Sequence, residues 1–295
     1  MTETGLIFFL IDKRDASEGS TVANTDFYSF QMSRKSLYYA SNPMDVSKLK
    51  EEYRNLKTRN FPVEYYTEKE INRKFSFSKA GALVTDHDAE INPYKHVHLL
   101  IEKAVSKGVR VYVKTKINGK ILKENQTQLF IETGHMVHAQ TVIFVTGYEA
   151  QEEVKDKNAV ILSSYAIATN QIADQAQWHD NMMIWETARP YLYARKTPGN
   201  RIIIGGLDES TGYLEKRVPM ILNNRDKLIK QIVNLFPELE NRIWADYYWG
   251  ALFCEIHDGL PTIGMYPDHP NSTSYWVMAG MGRFTVSTVP KIIRD

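Results

Sequence analysis

The sequence predicts an α+β protein in which a lobe with a βα pattern is joined to a lobe rich in strands. The first half of the 295-residue chain alternates short apolar strands with helical segments. In the second half, strand patterns outnumber helical ones. Because 43% of the residues are hydrophobic, the chain is long enough and apolar enough to fill the cores of two lobes.

Apolar runs and helix caps define the first elements. Leu6 to Ile11 is a short apolar strand, and the small and acidic residues "DASEGST" after it are typical of a loop. Residues 45–60 have the pattern of a polar surface helix. A further helix begins with Thr67 as its N-cap, and Glu70 three positions later completes a capping box.

A longer helix is predicted between Asn92 and Gly108. Asn92 is a good N-cap, Pro93 suits the first helical position, and Gly108 follows the last turn. One face of this helix is apolar and consists of Tyr94, Val97, Leu100, Ile101 and Ala104.

The segment after this helix predicts a three-stranded antiparallel meander. The strand "VRVYVKTKI" leads to an Asn-Gly turn at residues 118–119, and "ILKENQTQLFIET" leads to a turn at Gly134. The third strand, "HAQTVIFVTG", ends at Thr146 and Gly147.

The second half begins with three strand patterns, "AVILSSYAIAT", "MMIWETARPYLYARKT" and "NRIIIGGLDE". A helical apolar stripe over residues 221–236 stops at Pro237, and the alternating segment "RIWADYYWGALF" follows it. The chain closes with the strand "SYWVMAG", a turn at residues 280–282 and a short helix that contains Pro290.

Charge and cysteine content exclude several classes of protein. The 36 basic and 35 acidic residues give a net charge of +1, so no overall field favours nucleic acid or an anionic membrane. The apolar run near the N-terminus is too short to cross a bilayer and lacks the basic flank of a signal peptide. We therefore expect a cytoplasmic protein without a membrane partner. Its single cysteine, Cys254, is more consistent with a packed thiol than with a nucleophile.

Five stretches in order resemble the FAD-dependent oxidoreductases of the D-amino-acid oxidase and glycine oxidase superfamily. They are "LIDKRDASEGST", "VIFVTGYEA", "ARPYLYARKTPGNRIIIGGLDE", "WGALFCEIHDGLPTIG" and "AGMGRFTVSTVPKIIRD". The resemblance implies FAD as cofactor. It also implies a Rossmann-like FAD-binding lobe over residues 1–41, 75–150 and 255–295, and a substrate lobe with a mixed or antiparallel sheet over 42–74 and 151–254.

The resemblance also implies which residues bind the cofactor. Asp12 corresponds to the acid that accepts hydrogen bonds from the adenosine ribose, and Ile117 to a backbone contact with adenine. Gly147 and the loop 258–264 correspond to segments that pass close to the cofactor. The complete set of implied cofactor-binding residues is Asp12, Lys13, Ser20, Thr21, Ile117, Thr146, Gly147, Gly280 and Gly282.

The sequence departs from the family pattern at three places. The match begins at the second strand, so the first strand, its Gly-x-Gly-x-x-Gly loop and the next helix are not found, and we expect an N-terminally truncated lobe that retains FAD weakly. A long helical segment is shortened to about a dozen residues after Thr25. Phe253 stands where related oxidases place an arginine that binds the substrate carboxylate.

Candidate substrate-binding residues lie in the hairpin "WETARPYLYAR". Residues two apart on a strand share a face, so Tyr191, Tyr193 and Arg195 can form an aromatic and cationic wall for a small carboxylate, with Arg189 as a second cation. An ion pair between Glu186 and Arg189 on a solvated face is the alternative. No metal site is predicted, because the pair His96 and His98 point in different directions on a helix.

Two functions are compatible with this sequence. The first is an enzyme that removes a hydride from the carbon next to an amine or amino-acid nitrogen and passes it to FAD. The second is a non-catalytic remnant or interaction protein derived from the same fold. A third interpretation is that the missing strand and loop are supplied by a separate chain. No catalytic side chain is predicted, and the sequence does not indicate substrate identity, electron acceptor or oligomeric state.

Overall fold

The computed structural model describes residues 7–18, 33–90, 92–123, 126–154, 157–172, 176–210, 214–256, 262–264 and 274–278. Chain contacts divide the protein into two compact units. The first unit comprises Met1–Val22, Tyr94–Leu162 and Leu252–Asp295, and the second comprises Ala23–Pro93 and Ser163–Ala251. The bounds of these two units differ from those predicted for the two lobes, for example over residues 33–41 and 75–90.

The described elements confirm the predicted α+β class. The helices are α1 (Val46–Thr58), α2 (Glu68–Lys74), α3 (Pro93–Ser106), α4 (Ala150–Val154) and α5 (Leu214–Leu235). The strands of the first half are β1 (Phe9–Ile11), β2 (Ser33–Tyr39), β3 (Val63–Thr67), β4 (Gly81–Ala89), β5 (Arg110–Tyr112), β6 (Ile117–Lys123), β7 (Gln126–Ile131), β8 (Met136–Ala139) and β9 (Val142–Phe144). Those of the second half are β10 (Ala159–Gln171), β11 (Met183–Glu186), β12 (Tyr193–Lys196), β13 (Arg201–Glu209), β14 (Ala245–Ile256), β15 (Thr262–Gly264) and β16 (Ser274–Met278).

Local signals place the helix ends as predicted. At the start of α2, the Glu70 carboxylate accepts a hydrogen bond from the Thr67 backbone N–H at 2.7 Å, which completes the capping box. Helix α3 begins at Pro93, and Gly108 just beyond it has a φ of 90°, a backbone conformation that favours glycine. These ends are encoded locally because each cap involves residues within one turn.

The first unit contains small sheets. Strands β1 and β5 are parallel, with Phe9 opposite Arg110 and Ile11 opposite Tyr112. Strands β6, β7 and β8 form an antiparallel meander. A third sheet has the order β15-β16-β9, in which β16 is parallel to β9 and antiparallel to β15.

The predicted meander is present, but its strands differ from the predicted ones. The strand "VRVYVKTKI" is divided, since Arg110–Tyr112 pairs with β1 and Ile117 begins β6. The Asn-Gly dipeptide at 118–119 lies inside β6 at a register shift rather than in a turn. Strand β9 pairs with β16, whose sequence lies more than 100 residues away. Local turn signals misplaced these strands because strand pairing is decided by distant residues.

The second unit is built on an eight-stranded mixed sheet with the order β14-β10-β13-β12-β11-β2-β4-β3. Strands β2 and β11 are parallel, and the pairs β2/β4, β3/β4, β11/β12, β12/β13 and β10/β13 are antiparallel. Helix α5 contributes Leu228, Ile232 and the following Phe236, each fully buried, to the main core. Helix α1 contributes the buried Leu49 to a smaller core with Val63 and Leu83.

Two further observations concern the single cysteine and the described helices. Cys254 is 1% exposed, as expected for a packed thiol. Among the described helices, none combines the length and the apolar composition that crossing a bilayer requires.

Candidate functional site

Asp12 lies at the carboxyl end of a parallel strand, where nucleotide-binding sheets place their acidic residue. Its backbone N–H donates to the Tyr112 carbonyl at 2.9 Å, and its carbonyl accepts from the Thr115 N–H at 2.8 Å. The Asp12 carboxylate accepts a hydrogen bond from the Arg14 N–H at 2.8 Å. A carboxylate can accept up to about four hydrogen bonds. The side chain therefore has acceptor capacity for hydroxyl groups of a ligand.

Glu149 connects the end of β1 with the turn that follows β9. Its carboxylate binds the Lys13 ammonium at 2.5 Å and the Arg14 guanidinium at 2.7 Å, and its N–H donates to the Thr146 carbonyl at 3.3 Å. Although burial opposes ionisation, the hydrogen bonds and charges of Lys13 and Arg14 hold the pKa of Glu149 below its usual value. The ion pairs bring the predicted residues Asp12, Lys13 and Thr146 into one region.

Gly147, in the same turn, has a backbone conformation that favours glycine. Its φ is 59°, and a Cβ atom added to it would meet no atom of the described residues within 4 Å. Among the described residues, none therefore blocks a ligand beside this glycine. Ile117 begins β6 and lies two residues after Thr115, whose N–H donates to the Asp12 carbonyl.

Several predicted positions cannot be placed. Ser20, Thr21, Gly280 and Gly282 lie outside the described residues, as do most of the loop 258–264 and the side chain of Phe253.

In the second unit, the strand register places Tyr193 and Arg195 on one face of the sheet, as predicted. Trp185 is opposite Tyr193, and Tyr193 is opposite Gly205. Arg195 is only 6% exposed, and its guanidinium binds the Glu90 carboxylate at 2.8 Å. The other oxygen of Glu90 binds Arg34 at 2.8 Å. Arg195 is thus held in a buried network of two arginines and one glutamate.

Arg189 and Tyr191 lie in the connection between β11 and β12. One Arg189 nitrogen donates to the carbonyl oxygens of Ala188 at 2.8 Å and Thr187 at 3.3 Å. Its guanidinium also lies 5.1 Å from the centre of the Tyr191 ring. Arg189 is therefore exposed at the hairpin tip rather than on the sheet face that holds Tyr193.

The alternative ion pair between Glu186 and Arg189 is wrong, because no such pair exists among the described side chains. Glu186 is 8% exposed, and its carboxylate accepts hydrogen bonds from the Tyr39 hydroxyl at 3.1 Å, the Ser41 hydroxyl at 2.9 Å and the Leu192 N–H at 3.2 Å. These three donors satisfy a buried carboxylate without a cation in direct contact.

Lys79 is a charged residue near this carboxylate that the sequence analysis missed. Its ammonium lies 4.4 Å from the centre of the Tyr39 ring, within the range of a cation–π contact. Burial lowers the pKa of Lys79, an effect that the charge of Glu186 opposes. Burial, together with Glu186, also raises the pKa of the Tyr39 hydroxyl far above its usual value. No local sequence signal identifies this group, since Tyr39 and Glu186 are 147 residues apart.

The sequence of the chain matches one protein family. Residues 24–292 match the family model of the FAD dependent oxidoreductases (DAO). This match covers most of the chain, including all of the second unit except Ala23, and residues 94–162 and 252–292 of the first. No curated protein sequence matches the chain significantly.

Solved structures with a similar fold include three oxidases. Glycine oxidase from Geobacillus kaustophilus superposes with a TM-score of 0.75 at 15% identity, over 92% of this chain and 82% of that one. Iminodiacetate oxidase from Chelativorans sp. BNC1 gives a TM-score of 0.75 at 12% identity, over 95% and 85% of the two chains. The FAD-bound L-α-glycerophosphate oxidase from Mycoplasma pneumoniae gives 0.73 at 12% identity, over 97% and 86%. Because these sequence identities are low, the structural similarity establishes the fold alone.

Proposed function

The chain belongs to the family of FAD-dependent oxidoreductases, and on that premise we propose that it oxidises the carbon next to the nitrogen of an amine or amino-acid substrate. When bound, FAD would supply the acceptor for the hydride of that carbon, and loss of the N–H proton as well would leave the substrate as an imine. The similarity to glycine oxidase and iminodiacetate oxidase supports a nitrogen-bearing substrate. The buried single cysteine is consistent with our further proposal that the protein works in the cytoplasm.

In this proposal, the first unit holds the cofactor and the second holds the substrate. The observation that carries it is the position of Asp12 at the carboxyl end of parallel strand β1, linked through Lys13 and Glu149 to the turn at Gly147. Asp12 would accept hydrogen bonds from the ribose hydroxyls of FAD. Gly147 would let the backbone approach the cofactor, and Ile117 would contact its adenine.

The face of the second unit that carries Tyr193 would contact the substrate. Tyr193 and Tyr191 lie with ring centres 5.9 Å apart, so they form a continuous aromatic surface near the hairpin. Arg195 would act as a positioning residue, because its buried guanidinium is bound by Glu90. Arg189, at the exposed tip, would contact a substrate only at its periphery.

FAD binding by the purified chain tests the proposal. We expect added FAD to bind with quenching of its fluorescence, and we expect Asp12→Ala to raise the dissociation constant at least about tenfold. A hydrogen bond to a carboxylate contributes roughly 1.5–3 kcal/mol, and about 1.4 kcal/mol corresponds to a factor of ten.

Asp86→Ala is the matched control, because Asp86 also accepts a hydrogen bond from a nearby backbone N–H, that of His87 at 2.8 Å. It lies in the second unit and should leave FAD affinity unchanged. The proposal fails if the wild-type chain does not bind FAD, or if the Asp12 and Asp86 variants bind it equally.

A non-catalytic interaction protein is the second candidate function, and one observation favours it. Ile7, Phe8 and Phe9 are 64%, 47% and 42% exposed. Successive side chains of a strand point to opposite faces, so both faces at this end of the β1 segment expose apolar groups. Parallel strands are normally covered on both faces, and a contiguous exposed apolar surface is typical of an interaction site. Failure to bind FAD would favour this function.

A further inference from the structure

Three aromatic residues lie side by side on one face of the eight-stranded sheet. Tyr38 on β2 is opposite Trp185 on β11, and Trp185 is opposite Tyr193 on β12. The Tyr38 and Trp185 rings are stacked, with centres 4.3 Å apart and planes inclined by 28°. We call Tyr38, Trp185 and Tyr193 the aromatic row.

The opposite face of the same strands is buried. Leu37, Ile184 and Ala194 form the corresponding row there, opposite one another in register, and they are 0%, 3% and 4% exposed. Trp185, by contrast, is 42% exposed. A tryptophan in the middle of a sheet would contribute stability if it were covered. Its exposed surface is therefore accessible to a ligand.

The neighbours of the aromatic row favour an apolar, flat ligand. Met183 lies on the same face two residues before Trp185, and thioethers make favourable contacts with aromatic rings. Gly205 lies beyond Tyr193 and has no side chain to rise above the sheet. Arg195 lies two residues after Tyr193 on β12, and its guanidinium binds the Glu90 carboxylate. The positive charge beside the aromatic row is therefore already paired.

The dimensions of the row also match a ring system. Neighbouring strands are about 4.8 Å apart, so the backbones that carry the three residues span roughly 10 Å across β2, β11 and β12. A phenyl or indole ring can stack within that width on the exposed face of Trp185. Aromatic rings prefer such offset-stacked or edge-to-face contacts with one another.

We infer that the substrate is an amine that carries an aromatic ring, and that this ring packs against the exposed part of Trp185, next to Tyr38. The amine group of this substrate rests on the proposed function, whereas its ring is inferred from the aromatic row. Amines with and without a carboxylate, such as phenylalanine and phenethylamine, share this ring chemistry. Trp185 is then the residue that determines specificity for the ring.

Ligand affinity measured by calorimetry tests the inference without the cofactor. The probes are phenethylamine, phenylalanine and isopentylamine, which is apolar but has no ring. We expect at least one of the two ring-bearing probes to bind at least tenfold more tightly than isopentylamine. Trp185→Leu should abolish this preference, and Trp185→Phe should retain binding within about threefold of the wild type.

Trp244→Leu is the control, because Trp244 lies in the same unit and is 60% exposed outside the aromatic row. This variant should bind all probes as the wild type does. The inference is overturned if no ring-bearing probe binds, if isopentylamine binds equally well, or if Trp185→Leu and Trp244→Leu have equal effects. FAD binding is measured separately, so ring preference without FAD binding would contradict the proposed function alone.

Discussion

Glu90 shows what a single residue contributes to the second unit. Its side chain is 3% exposed and binds both Arg34 and Arg195, so one carboxylate holds two guanidinium groups away from solvent. Buried ionic groups are costly to desolvate, and removal of one partner leaves the others uncompensated. The network therefore fixes the position of Arg195 next to the aromatic row.

We expect Glu90→Gln to lower the free energy of unfolding by about 3–5 kcal/mol, because it removes the charge that both arginines bind. Urea denaturation measures this change. The control is Glu132→Gln, since Glu132 is 58% exposed and pairs only with Lys116 at 3.1 Å. Its effect should stay within about 0.5 kcal/mol. Equal effects of the two substitutions would show that the buried network does not stabilise the fold.

At the scale of elements, the contact between β12 and β13 shows how strand register shapes the candidate substrate face. Gly205 is opposite Tyr193, and a Cβ atom added there would lie 2.3 Å from the Tyr193 hydroxyl oxygen. The tyrosine ring therefore occupies the space that a side chain at position 205 would need. Glycine at this position lets Tyr193 lie across the neighbouring strand.

Gly205→Ala should destabilise the protein by about 1–3 kcal/mol, because the added methyl group forces the Tyr193 ring from its place. Denaturant unfolding gives the free energy, and near-ultraviolet circular dichroism reports the movement of the ring. In a Tyr193→Leu background the same substitution should cost less. Gly199→Ala is the control, since its added Cβ atom would lie 3.8 Å from the Thr197 hydroxyl oxygen, an ordinary contact distance. A cost for Gly205→Ala that is the same in both backgrounds would contradict this account.

At the scale of the whole molecule, the two units differ in how completely they are covered. The main core of the second unit includes fully buried residues from the sheet and from α5. In the first unit, helix α3 has no buried residue, and Tyr94 and Leu100 of its predicted apolar face are 46% and 47% exposed. The described part of the first unit thus exposes apolar groups on both a strand and a helix.

We expect the wild-type chain to bind a hydrophobic dye such as anilinonaphthalene sulfonate, and Phe8→Ser to reduce the dye fluorescence. Phe8 is 47% exposed between the exposed Ile7 and Phe9, so the substitution interrupts a contiguous patch. Phe61→Ser is the control, because Phe61 is 54% exposed in the second unit. If both variants lower the fluorescence equally, the dye does not report on β1.

The sequence by itself determined the features that depend on neighbouring residues. Capping residues set the start of α2 and the end of α3, alternation placed Tyr193 and Arg195 on one face, and an acid after an apolar run marked the end of β1. The order of five short motifs predicted the family. Each of these signals lies within a few residues, so no knowledge of distant contacts is needed.

Only the tertiary structure decided which distant residues meet. Arg195 binds Glu90 across 105 positions, β9 pairs with β16, and Trp185 stacks on Tyr38. The backbone hydrogen bonds of a strand can pair with those of any other strand, and the partner and register are chosen by packing of the whole sheet. For that reason the sequence predicts that Tyr193 and Arg195 share a face but does not show that Trp185 lies opposite Tyr193.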